Sequence, residues 1–210
     1  MIRSLNVLLI SALLAWGAAP PAPADEPVTV REVLDRFVEA VGGAECFADL
    51  DVRHYRGTIV QDLSWEDPTH TEVPFLAEAD ARGQVRYAEV DAWSDLPTAE
   101  DTDLRSKLRW VMHPHYALVV EDFFPELTVS GREVRAGRPV VVLAPRDLDY
   151  TYYALYFDEE SGLLAHIGYH NDLEDWREVD GVLYPHRWVF GRKGGHTTYV
   201  FDEVGSGAGH

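Results

Sequence analysis

The chain has 210 residues, 46% hydrophobic and 26% charged, with 36 acidic against 18 basic side chains and a formal net charge of −18. That excess of negative charge repels phosphate backbones and anionic lipid headgroups, which argues against nucleic-acid binding and against a basic membrane-surface role. The only cysteine, Cys46, excludes an intramolecular disulfide, so the fold has to rest on its apolar core.

In chain order, Arg3 precedes an apolar run from Val7 to Trp16, and Ala22-Pro23-Ala24 supplies the small-x-small pattern read by a signal peptidase. Residues 1–24 are therefore expected to be a cleaved signal peptide, with the mature chain starting at Asp25. The run is shorter than the roughly 18–20 residues a spanning helix needs, so no transmembrane anchor is expected. Residues 25–204 are expected to form a single β-rich domain, large enough to bury a sizeable core, and the Gly-rich residues 205–210 a flexible tail.

After the proline- and alanine-rich lead-in, Thr29 and Glu32 form a capping-box pair that predicts a helix start. Val30, Val33, Leu34, Phe37, Val38 and Val41 follow at helical spacing, and Gly42-Gly43 supplies a C-cap. Such a striped helix has to lie on something apolar.

From His54 the pattern changes to short segments rich in Val, Tyr, Thr, Phe and Trp between Gly, Pro and Asp. Strands are predicted near 54–62, 72–81, 84–91, 108–112, 116–121, 127–131, 139–144, 150–158, 163–170, 174–179, 183–191 and 196–203. Residues 95–107 break the pattern and read as a short helix or a loop. Asp158 to Gly162 is the clearest hairpin turn.

Alternation along the strands sorts the side chains by face. Tyr153, Leu155 and Phe157 fall on one face, as do Leu163, Ala165, Ile167 and Tyr169 on the returning strand, while His166 and His170 go elsewhere; one face reads as apolar and the other as wet. Trp188 and Phe190 add aromatic rings to one side of a later strand. An aromatic sheet face needs a cover, and the Val30–Val41 helix is the natural one.

The helix, Gly42-Gly43 and Arg56-Gly57-Thr58 resemble the opening of the outer-membrane lipoprotein-sorting (LolA-like) proteins. Tyr156 to Leu164, then Trp176 to Val182 and Tyr184-Pro185-His186-Arg187, is similar to the strand, D-x-x-x-G-L-L, strand, E-V-D-G-V run of that superfamily. The resemblance spans most of residues 30–204. It implies an α+β fold: a strongly curved antiparallel sheet, or half-barrel, with covering α-helices and an apolar concave side that holds acyl chains. It also implies a periplasmic binding or carrier protein for a lipid or an acylated protein. A non-enzymatic protein-interaction or sensor module of the cell envelope is the alternative on the same fold.

Each methylene moved from water into an apolar groove contributes about 0.8 kcal/mol, so aromatic lining alone can hold a long acyl chain. The candidate lining residues are Phe75, Trp93, Trp110, Phe123, Phe124, Tyr153, Phe157, Ile167, Trp188 and Phe190. These rings either line a cavity or pack a closed core, and the sequence leaves both open. His113 and His115 stand two apart but flank Pro114 without a third ligand at a familiar spacing, so no metal or other cofactor is expected. There is no G-x-S-x-G elbow, and Cys46 follows a helix end, so no enzyme activity and no catalytic residues are expected.

Overall fold

The computed structural model describes residues 28–48, 52–63, 69–80, 85–90, 120, 126–146, 153–168, 170–192 and 195–206. Two helices, α1 (Val30–Ala40) and α2 (Glu45–Ala48), precede ten strands among these residues. The strands are β1 (Val52–Leu63), β2 (Thr69–Asp80), β3 (Val85–Ala88), β4 (Leu127–Arg135), β5 (Arg138–Pro145), β6 (Leu155–Asp158), β7 (Leu164–Ile167), β8 (Asn171–Val179), β9 (Val182–Arg192) and β10 (Gly195–Ser206).

They form one open sheet in the order β3-β2-β1-β10-β9-β8-β7-β6-β5-β4. Every described pairing is antiparallel, and β1 pairs with β10, the first described strand with the last. The register shifts at Arg56/Gly57, at Val129/Gly131 and at Tyr156/Phe157. Each such bulge bends its strand and increases the local twist.

Helix α1 begins and ends as its sequence dictates. Thr29 Oγ1 accepts from the Glu32 N–H, and Glu32 Oε2 accepts from the Thr29 N–H at 2.7 Å. At the other end Gly43 N–H donates to the Val38 carbonyl and Gly42 N–H to the Glu39 carbonyl, a Schellman closure with both glycines at positive φ. Gly42 also touches the β8–β9 turn, where a Cβ would lie 2.4 Å from the Gly181 carbonyl oxygen. The Leu183 N–H donates to the Val41 carbonyl at 2.9 Å, and Arg36 Nη2 donates to the Glu159 carbonyl at 2.6 Å. The helix is thus tied at its end and along its side to two hairpin turns.

One apolar cluster joins α1 to the sheet face beneath it, from Tyr87 on β3 across to Val141 and Leu143 on β5. Phe37 is fully buried and meets Phe157 edge-on at 5.7 Å and Trp176 at 6.4 Å. Among the described residues α1 is the only helix of any length on that face, where the sequence had implied several covering helices. The 95–107 segment and the strands expected near 108–112 and 116–121 fall outside the described residues, Val120 excepted.

Three local expectations need correction. The strand expected from residue 150 begins at Leu155, which leaves Tyr153 ahead of it. The apolar-in, polar-out reading of this hairpin fails because Val140, Val142, Ala144, Ala154 and Tyr156 form a second buried cluster on the opposite face, with β5 buried on both sides. The alternation expected from Leu163 to Tyr169 is broken by the bulge, since Phe157 pairs with Leu164 and Tyr156 with His166, leaving Ala165 unpaired between them. In addition β10 extends through Gly205 and Ser206, opposite His54 and Arg53, so these two residues belong to the sheet rather than to a tail.

Candidate ligand-binding face

In the same apolar cluster as α1, a chain of aromatic rings runs across β3, β2, β1, β10 and β9. Phe75 meets Tyr87 at 5.9 Å, Tyr199 at 5.7 Å and Phe201 at 5.6 Å, and Phe201 meets Tyr55 at 5.7 Å. Trp188 stacks on Tyr199 at 5.4 Å and meets Phe190 at 6.3 Å. Such pairs add roughly 0.5–1.5 kcal/mol each beyond the area they bury. The alternation that produces this face is local: Arg53, Tyr55, Gly57 and Ile59 all point inward from β1, and Tyr199 and Phe201 follow on β10.

Of the residues singled out from sequence, Phe75, Trp188 and Phe190 come together in this ring chain. Phe157 lies under α1 against Phe37, and Ile167 pairs with Leu155 in the same cluster. Tyr153 is half-buried and off the strand. Trp93, Trp110, Phe123 and Phe124 fall outside the described residues, as do His113 and His115. Sequence reasoning missed Tyr55, Tyr87, Tyr184, Tyr199 and Phe201, although the period-2 placement of Tyr55 and of Tyr199 with Phe201 was a readable signal.

The face is apolar but carries polar groups. Burial raises the phenol pKa values of Tyr55, Tyr184 and Tyr199, so these side chains remain neutral hydroxyls. Arg53, only 5% exposed, donates from Nε to the Tyr184 hydroxyl at 2.5 Å. The indole Nε1 of Trp188 is buried with no acceptor among the described residues.

A second polar group lies on the opposite face. Arg135 Nη1 donates to His166 Nε2 at 2.9 Å, which places the ring proton on Nδ1, and Nδ1 donates to Asp172 Oδ1 at 2.5 Å. The Arg135 guanidinium also sits 3.8 Å over the Tyr156 ring. Both imidazole nitrogens are engaged, so the group clasps β4, β7 and β8 together. Among the described residues no three His, Cys, Asp or Glu side chains gather as metal ligands.

The clasp predicts a pH dependence. The His166 hydrogen bond holds the Asp172 carboxyl below its usual pKa, against a smaller raising effect of burial and with help from Arg135 and Arg187. A carboxyl depressed in the folded state contributes stability above its unfolded pKa, near 4, and loses it as pH falls through the folded value. Asp172→Asn should therefore cost about 1 kcal/mol at pH 7, below the usual range for a bond to a charged group because the carboxylate is half exposed and screened. Denaturant titrations at pH 7 and pH 3 should show that difference shrink in acid; a difference that persisted unchanged would contradict the assignment.

No family model matches this sequence, and no curated protein matches it. Solved structures do. A DUF1329 family protein from Desulfovibrio piger is similar over 86% of this chain and 94% of its own, with 11% identity and a TM-score of 0.48. A LolA superfamily protein from Nitrosomonas europaea covers 87% and 95% at 11% identity and a TM-score of 0.47. A putative outer membrane lipoprotein-sorting protein domain from Vibrio parahaemolyticus covers 86% and 94% at 8% identity and a TM-score of 0.46. The lipoprotein-sorting proteins that the sequence resembles are thus among its structural neighbours.

Proposed function

We propose that the protein is exported to the periplasm and there carries a hydrophobic ligand, a lipid or the acyl chain of a lipoprotein, on the aromatic face beneath α1, without catalysing a reaction. The observation that carries this reading is the run of rings from Tyr55 to Phe190 on one face of an open sheet, with the Trp188 indole donor among them, which meets no acceptor among the described residues. A buried donor without a partner costs about 1–3 kcal/mol, and a bound acceptor removes that cost. In this reading Phe75, Phe157, Ile167, Trp188 and Phe190 line the site, joined by Tyr153, Trp93, Trp110, Phe123 and Phe124. Native mass spectrometry of the mature protein purified from the envelope should show co-purifying lipid. An apo protein that takes up no fluorescent fatty acid would overturn the reading.

The alternative, an envelope protein-interaction module, is favoured by one observation. Strand β4 forms an edge among the described residues, and Val134 on it is 73% exposed. An unpaired edge with an apolar side chain is a template for strand addition by a partner.

A further inference from the structure

The ten-stranded sheet forks. Strands β9 and β10 are paired from Arg192↔Gly195 to Arg187↔Val200 and no further among the described residues, although β9 starts at Val182 and β10 runs on to Ser206. Over the same stretch β10 stays paired with β1 as far as Arg53↔Ser206, and β9 stays paired with β8 as far as Val179↔Val182. The sheet is thus two leaves, β3-β2-β1-β10 and β9-β8-β7-β6-β5-β4, joined by a ladder next to the β9–β10 turn and parted beyond it. Pro185 suits the parted stretch, because proline has no N–H to give to a ladder and is confined to strands that act as edges. Across β8 from His186, Asp175 takes a positive φ of 55°, and the β8–β9 ladder passes from Glu174↔Arg187 to Trp176↔Pro185 without that pair.

Side chains close the fork in place of the backbone. His186, 6% exposed, donates from Nδ1 to the Phe201 carbonyl at 2.7 Å, one position past the end of the ladder. Farther along, Arg53 Nε on β1 donates to the Tyr184 hydroxyl on β9. Helix α1 belongs to one leaf only: its described hydrogen bonds and ring contacts go to Glu159, Phe157, Trp176 and Leu183, all of the β4–β9 leaf. Tyr55, Phe75 and Phe201 belong to the other leaf and are at most 2% exposed, so nothing reaches them unless part of the molecule moves. The boundary with the fewest backbone bonds is the fork, and motion concentrates where such bonds are few.

We propose that the protein opens along this fork, the two leaves turning about the Arg187–Arg192 ladder with His186 as the latch, while α1 rides on its own leaf and does not lift from it. What enters through the opening rests on the carrier reading; the opening itself does not.

The test places pairs of spin labels at three exposed positions, Glu39→Cys on α1, Glu160→Cys on the β6–β7 turn and Glu203→Cys on β10, in the mature chain with Cys46→Ser. On addition of palmitate, the 160–203 and 39–203 distances should lengthen together by several ångströms, and the 39–160 distance should stay the same. Lengthening of 39–160 at a fixed 160–203 distance means that the helix lifts, and it overturns the proposal. So do three unchanged distances in a protein that has bound palmitate. If palmitate does not bind, the carrier reading fails, and the fork is decided without ligand. There His186→Ala should spread the 160–203 distances to longer values, whereas His186→Gln, which keeps a donor, should leave them narrow. Should His186→Ala not fold, Tyr184→Phe removes the second tie across the fork and has to spread the same distances. A narrow, unchanged distribution in the folded variant overturns the latch.

Discussion

Replacing Phe37 by alanine is expected to destabilise the protein by about 3–5 kcal/mol, the range for truncating a fully buried aromatic ring. Phe37 is 0% exposed and is the only ring that α1 contributes to the shared core. Its edge-on contacts with Phe157 and Trp176 hold the helix over β6 and β8, and no described residue stands ready to fill the space it would leave. The loss includes the transfer energy of the ring and the cavity left behind, because the hairpin turns that bind α1 at Gly42 and Arg36 keep the helix from collapsing inward. Urea denaturation followed by circular dichroism checks this. If the midpoint moves by less than a third of that expectation, α1 is not the cover of this face. Since α1 closes the site in the carrier reading, the same variant should release bound fatty acid faster than it loses secondary structure.

What could be read from the sequence divides along physical lines. Helix α1 was legible because its signals are local: the Thr29–Glu32 box and the two glycines determine their own hydrogen bonds whatever the rest of the chain does. The turn at Asp158 was legible for the same reason, and the Asp-Gly pair at 180–181 carries the same local signal. Asp158 Oδ1 accepts from the backbone of Glu160 and Ser161, and Asp180 and Gly181 both take positive φ. The turn at Ala136-Gly137 was not legible as a tight hairpin. Alanine carries no preference for the positive φ it adopts there, so β4 was expected to stop at residue 131 when it runs to Arg135.

The site was less legible than the fold because its features arise between strands distant in sequence. Phe75 and Phe201 are 126 positions apart, and only the β2-β1-β10 order brings their rings together. Tyr156 read as a wet-face residue because alternation from Phe157 put it there, but the face it occupies is buried too. Arg53 drew no reading from the sequence, since nothing in its neighbours reveals that β1 turns it inward to 5% exposure. Burial of a charge is a property of the assembled sheet, and a linear pattern registers only that the strand alternates.

Gly57→Ala should lower stability by about 3 kcal/mol or more, the upper range for forcing atoms into a packed core. A Cβ built on Gly57 lies 2.0 Å from the Val200 carbonyl oxygen and 2.7 Å from the Phe75 ring. The ring could swing away, but the carbonyl belongs to β10, and moving it opens the β1–β10 ladder beside the bulge at Arg56/Gly57. Gly57 is needed for space and not for an unusual φ: with no side chain there, the Phe75 ring lies directly over the β1 backbone, in reach of Phe201 and Tyr199. The substitution should therefore damage two things at once, lowering the thermal midpoint and displacing the central ring of the aromatic face. Ile59→Val, on the same strand and face, removes one buried methylene and should cost only about 0.5–1.5 kcal/mol without moving the rings. If the two variants differ in stability but take up fluorescent fatty acid equally well, Phe75 belongs to the core alone and the ligand has to be sought elsewhere on the face.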